Sequence, residues 1–257
     1  MTREPPRQSR VNSHPMKLVW LFDVDGTLLM TEGAARDAFA LAVSELFPGR
    51  DPLGDVAFAG RVEPLILRDI LALHGARFDL EEEARFWNSV FSHMRAALGP
   101  DRGRLLPGVT SLLDAVDCEA EWVSALLTGN MTQMARIKLA RFGIGGRFAF
   151  GAFGEEAPDR DALALVAVAR ARERFGVPPS RCVVVGDTEH DVACARAAGA
   201  WAVAVSTGGR SREALEASRP DLLLDDLADP SVLIDWARSL ESGVTSRSAP
   251  AASAPLP

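Results

Sequence analysis

The stretch Leu21-Phe22-Asp23-Val24-Asp25-Gly26-Thr27-Leu28 ends an apolar run in two carboxylates two residues apart. Residues at that spacing on a strand project to the same side, so both acids face one spot where the chain leaves a sheet. Two like charges that close repel, and a cation or a shared proton has to intervene. Paired acids of this kind can divide the work, one attacking as a nucleophile while the other moves a proton. Gly26 permits a sharp turn beyond them, and the Thr27 hydroxyl can anchor it.

Two further chain segments end in matching chemistry. The run Glu121–Leu127 stops at Thr128-Gly129-Asn130, just ahead of a helical stretch. A hydroxyl, a backbone N–H and a helix N-terminus together suit an anion, although Thr128 or Asn130 could serve only as the helix cap. The run Arg181–Val185 stops at Gly186-Asp187-Thr188-Glu189-His190-Asp191, with Asp187 at the tip and Asp191 opening the next helix. Oxygen ligands of this kind suit Mg²⁺, which takes one or two carboxylates and fills its remaining positions with water and phosphate. Asp191 is either a further ligand or an N-cap that orients the others. His190, flanked by acids, reads as a solvated side chain rather than a base; His74 and His93 read as surface or packing residues.

The elements that position these groups follow from the pattern. Leu18–Val24, Glu121–Leu127, Arg181–Val185, Trp201–Val205 and Asp221–Leu224 read as buried strands, with one more at about 148–153. Helical stretches follow at 131–142, 160–175, 191–198, 211–218 and 230–240. Repeated strand–helix units predict a parallel sheet with helices on both faces and a ligand site at the carboxyl ends of the strands. Between residues 30 and 105 the alternation stops. That segment reads as helices at about 33–47, 62–74 and 80–98, with apolar faces from Phe39, Leu41, Val43, Leu46 and Phe47 and from Phe86, Val90, Phe91 and Met94. It reads as a small helical domain, inserted directly after the first acidic strand end, where a lid belongs.

Composition sets the remaining bounds. The 257 residues make one or two domains. With 47% hydrophobic and 25% charged residues, a wholly disordered or collagen-like chain is excluded. A net charge of −7 leaves no electrostatic footprint for nucleic acid or anionic membrane. No apolar run approaches the roughly 18 residues of a membrane helix. Cys118, Cys182 and Cys194 are odd in number and form no CxxC, which fits a reducing cytoplasm rather than a disulfide scaffold. Residues 1–15 and 242–257 are polar or rich in Pro, Ser and Ala and read as disordered, and Met16 is an alternative start. Oligomeric state is left open between monomer and homodimer.

Taken together, Asp23-Val24-Asp25-Gly26-Thr27, Thr128-Gly129-Asn130 and Gly186-Asp187-Thr188 with Asp191 resemble the motifs of the haloacid dehalogenase-like superfamily, in order and spacing, over roughly residues 16–241. The phosphoglycolate phosphatase-like members are most similar. The resemblance implies an α/β fold: a Rossmann-like parallel-sheet core of residues 16–30 and 105–241, with an all-helical cap of residues 31–104. It implies that Asp23 attacks phosphorus to form an aspartyl-phosphate and that Asp25 acts as acid and then base. It places Mg²⁺ on Asp23, the Asp25 carbonyl and Asp187, with Asp191 nearby. Thr27, Thr128, Gly129 and Asn130 would meet a small phosphorylated metabolite, and Arg61, in the loop Phe58–Pro64, would read its anionic tail. Members of the superfamily usually carry a lysine before the third motif. Lys17 precedes the first strand and Lys138 lies inside the helix after the second motif, so Arg160 is expected to take that role. Asp25 argues against a dehalogenase, and with the lysine-free segment 31–104 it argues against a phosphonatase. A β-phosphoglucomutase-like phosphomutase remains an alternative, with a signalling receiver or an inactive phosphate-binding protein behind it.

Overall fold

The computed structural model describes residues 17–242. The expectations for residues 1–15 and 243–257 lie outside the described residues. Ser242 caps the last helix.

Strand β1 (Leu18–Phe22) is buried along its whole length. Its alternate residues feed two cores: Leu18, Trp20 and Phe22 face one side of the sheet, Val19 and Leu21 the other. A strand covered on both faces must be apolar throughout, which is why this run shows no alternation in sequence. It pairs in parallel with β4 (Trp122–Leu127) on one side and β6 (Cys182–Gly186) on the other. With β5 (Gly151–Ala152), β7 (Trp201–Val205) and β8 (Leu222–Leu224), the sheet order is β5-β4-β1-β6-β7-β8. The expected strand at 148–153 is thus reduced to two residues.

Helices α4 (Val109–Cys118), α5 (Thr132–Arg141) and α9 (Ser231–Glu241) contribute Leu112, Leu139 and Leu233 to the first core. Helices α6 (Arg160–Phe175), α7 (Glu189–Ala197) and α8 (Arg212–Ala217) contribute Leu163, Ala195 and Leu215 to the second. Every strand of this sheet therefore points its carboxyl end at the same rim.

The first and last parts of the sheet are separated by helices α1 (Ala34–Leu46), α2 (Glu63–His74) and α3 (Leu80–Ala97), close to the sequence expectation. They build a third core of their own from residues including Phe39, Ile70, Phe86 and Met94, joined by Met134 of α5. Leu41 and Leu46, read from sequence as part of the apolar face of α1, are exposed. The chain enters and leaves this segment through a two-stranded antiparallel ladder, β2 (Leu29–Met30) with β3 (Arg104–Leu105). No described helix is long and apolar enough to cross a membrane.

Candidate active site

Asp23 extends β1 by one ladder bond, its N–H donating to the Val185 carbonyl at 2.9 Å. This register holds its carboxylate rigid at the sheet rim. Asp187 follows the end of β6, and Asp191 sits in the first turn of α7. The carboxylate oxygens of Asp23, Asp187 and Asp191 lie within 4.8 Å of one another, and all three residues are buried. Glycines make room for this crowding. Any Cβ on Gly26 or Gly208 would overlap the Asp187 carboxylate, and one on Gly186 would overlap that of Asp191. Gly26 also needs its positive φ of 81° for the turn after Asp25.

The electrostatics are unbalanced. Burial pushes the Asp187 carboxyl up to about 8, with repulsion from Asp191 and Asp23 adding to it. Burial likewise pushes Asp23 up to about 6, against the opposing pull of Arg160. Among the described residues one positive group enters the cluster: Arg160 contacts Asp23 at 2.9 Å, ion-pairs with Asp191 and donates to the Leu127 carbonyl. One guanidinium cannot offset three buried carboxylates, and a hard cation with oxygen ligands fits what is left over.

Asp25 is handled separately. Its carboxylate stands apart from the three-acid group and accepts from Lys138 Nζ at 2.6 Å and from Asn130 Nδ2 at 2.7 Å. Lys138 also donates to the Asn130 side-chain carbonyl, and Asn130 donates to Thr128 Oγ1 at 2.7 Å. The two acids expected to share one spot therefore open on one cavity with different partners: an arginine at Asp23, a lysine and an amide at Asp25. That asymmetry lets one stay a fixed nucleophile while the other exchanges a proton.

The cavity measures about 290 Å³. Its floor includes Asp23, Asp25, Thr128, Gly129, Asn130, Lys138, Arg160 and Asp187, and its far wall Phe39, Phe58 and Ile66 with Arg36 and Arg61.

The match to the haloacid dehalogenase-like hydrolase model runs over residues 20–196, and a second, hydrolase-like model of that group matches residues 164–230. The chain belongs to the haloacid dehalogenase-like hydrolases. Among curated relatives of this hydrolase, a phosphoglycolate phosphatase of Xylella fastidiosa is 31% identical over 212 residues, covering 81% of this chain and 88% of the relative. A phosphoglycolate phosphatase of Shigella boydii is 27% identical over 229 residues, covering 81% and 88%. Among solved structures, β-phosphoglucomutase from Clostridium difficile superposes with a TM-score of 0.68 at 18% identity, covering 89% of this chain and 99% of that one. These relatives mark the chain as an enzyme acting on phosphate esters.

Asp23, Asp25, Thr128, Gly129, Asn130, Arg160 and Asp187 line one cavity. Three placements differ. Thr27 is fully buried and does not line the cavity, and its hydroxyl donates to Asp187 at 3.4 Å. Asp191 is both things the sequence left open: it forms a reciprocal capping box with Thr188 and belongs to the acidic cluster. Arg61 lines the cavity but spends its guanidinium on Asp69 at 2.6 Å and the Ala57 carbonyl.

The sequence reading missed Lys138, setting it aside as a residue within α5. Its signal was present. Met134, Ala135, Lys138 and Leu139 form the buried face of α5, and a lysine on such a face needs a buried anion to meet it. A helical side chain leans toward the N-terminus, which carries the ammonium back to the strand end. The start of α5, expected as an open anion site, is already used: Met131 N–H donates to Glu63 at 2.8 Å and Thr132 N–H to Glu155 at 3.0 Å.

Proposed function

We propose that this hydrolase is a Mg²⁺-dependent phosphatase that cleaves a small phosphorylated metabolite through an aspartyl-phosphate on Asp23. The observation that carries the reading is the division of partners, with Asp23 fixed by Arg160 and Asp25 held by Lys138 and Asn130 across one cavity.

Asp23, Asp187 and the backbone carbonyl of Asp25 would hold Mg²⁺, with Asp191 behind them. When bound, the ion supplies charge neutralisation for the carboxylates and the phosphoryl oxygens. The residues do the rest. Asp23 Oδ attacks phosphorus as the bond to the leaving oxygen breaks, and Asp25 gives that oxygen a proton. Asp25 then takes a proton from water, whose oxygen attacks the phosphorus of the aspartyl-phosphate and releases phosphate and free Asp23. Thr128, Gly129 and Asn130 orient the phosphoryl oxygens. Arg160 and Lys138 offset the charge that spreads over them in the transition state.

A cavity of about 290 Å³ suits a small-molecule ligand. Its far wall offers the apolar groups of Phe39, Phe58 and Ile66, with Thr31 and Glu32 also on the lining. The relatives named above are phosphoglycolate phosphatases by name, and this reading takes a short phosphorylated acid of that kind as the substrate. In this reading α1–α3 form a cap over the strand ends that excludes water during turnover. The setting is the reducing cytoplasm, in keeping with three unpaired cysteines.

The test is Asp23→Asn with parent and variant assayed on phosphoglycolate, with Mg²⁺ and with excess chelator. The variant should melt like the parent and turn over nothing, and the parent should stop in chelator. Parent-like turnover by the pure variant overturns the nucleophile, and full activity in chelator overturns the metal.

A further inference from the structure

Glu63 is the first residue of α2, and its surroundings are unusual for a carboxylate. It is 6% exposed. Its own N–H donates to the Gly129 carbonyl at 2.8 Å, and its Oε2 accepts from the Met131 N–H at 2.8 Å. Both partners belong to the loop that follows β4, so one residue of the helical segment grips both sides of Asn130. Asn130 in turn donates to Asp25. The approach is tight: a Cβ on Gly129 would overlap the Arg61 carbonyl, and one on Gly60 would meet His190 Cδ2 at 2.5 Å. The charged groups facing Glu63 are Lys138 of α5, Asp25 beyond β1 and Glu155 of the turn at 154–156. Burial lifts the Glu63 carboxyl to about 7, and Lys138 and the Met131 N–H pull it back. A buried carboxylate is costly unless it is held, and nothing in the three-helix core requires it there.

We propose that Glu63 is a positioning residue: it latches the helical segment onto the 129–131 loop, and that grip sets Asn130 and hence the Asp25 carboxylate for proton transfer. The proposal rests on the role given to Asp25 above. It gives the helical segment a hand in the chemistry, beyond excluding water. When the segment lifts, Asn130 loses its two flanking anchors and Asp25 loses a fixed donor. When the segment seats, the acid is aligned. Turnover is then conditional on docking even for a substrate too small to touch the far wall.

The experiment compares parent, Glu63→Ala, Glu63→Asp and Glu63→Gln. Readouts are kcat and KM for a small generic aryl phosphate and amide hydrogen exchange across residues 128–132. Glutamine keeps the acceptor at the same reach. It should hold exchange protection and stay within about threefold of parent kcat. Alanine removes the acceptor, and aspartate keeps the charge but falls one methylene short. Both should lose protection at Met131 and lower kcat by about tenfold or more, with KM changed by less than about threefold. Parent-like protection and kcat in Glu63→Asp overturn the latch, even if Glu63→Ala fails to fold. A loss confined to KM also overturns it, since that marks a substrate contact instead. Asp23→Asn, run alongside, should show parent protection at 128–132. Turnover by that variant would count against the nucleophile and leave the latch readout standing.

Discussion

Lys138→Met isolates the charge of a side chain that the sequence pattern hides. The lysine stem is buried, and methionine refills that volume with a flexible apolar chain. What disappears is the ammonium contact to Asp25 at 2.6 Å and the bond to Asn130. A hydrogen bond to a charged group contributes about 1.5–3 kcal/mol. The Asp25 side chain is 39% exposed, so water screens the pair and the lower part of that range applies, about 1.5–2 kcal/mol. If that stabilisation is realised in the transition state, kcat/KM should fall by roughly ten- to thirtyfold. Glu63 loses the electrostatic support of Lys138 at the same time, and the melting temperature should drop by about 2–4 °C. The assay is steady-state hydrolysis of phosphoglycolate and of an aryl phosphate, with melting curves on the same preparations. Lys138→Met within twofold of the parent on both substrates would refute the argument, because among the described residues no other cation pairs with Asp25.

Arg160→Ala should cost at least one to two powers of ten in kcat/KM, since it leaves Asp23 and Asp191 buried without a counter-charge. Arg160→Lys should recover part of the loss, and Arg160→Ala matching a control at Arg172 would remove the residue from the site. In metal-free protein the raised carboxyls fix the sign of the pH response. Unfolded aspartate titrates near 3.8, while Asp23 and Asp187 titrate at about 6 and about 8 when folded. Their contribution to stability is complete below about pH 4 and is lost as pH rises through about 6 and about 8. Melting in chelator should therefore weaken from pH 5 to 8, and Mg²⁺ should flatten the slope; a metal-free melting temperature that climbs over that range contradicts the cluster's electrostatics. Gly129→Ala would set a methyl against the Arg61 carbonyl, so proteolysis of residues 31–103 should accelerate and activity fall, while unchanged cleavage would show that the segment tolerates the added atom.

The legible parts of this molecule share a physical cause. A strand buried on both faces must be apolar, so Leu18–Phe22 stands out, and the acids that end it have nowhere to go but the rim. Asp23, Asp25 and Asp187 could be assigned because the strand end alone fixes their direction. Helix ends were readable to within about two residues because turn and cap residues mark them. The ladder of β2 with β3 was not, because two residues on each side leave no periodicity to detect. Helix α4 was not read either, because it starts after Gly108 with no side-chain cap to mark its beginning. Lys138, Glu63 and the pairing of Arg61 with Asp69 depend on which helix faces meet. Those contacts join residues far apart in sequence, and no local spacing encodes them. Thr27 lies inside a recognisable motif, yet its side chain is buried against Asp187 and off the cavity lining, a packing detail that no motif spacing encodes.

The ladder between Leu29–Met30 and Arg104–Leu105 has a consequence for how such molecules diversify. Met30 stands directly opposite Arg104, and residues paired across an antiparallel ladder are only about 5 Å apart. The two exits from the sheet are therefore already joined, whatever lies between them. The entropy of closing a loop rises only with the logarithm of its length, so the sheet is nearly indifferent to whether that span is a short turn or a full set of helices. The three helices supply most of their own core, which makes them a graftable module. Shuffling that module among related scaffolds would hand the same aspartates a new far wall in a single genetic step.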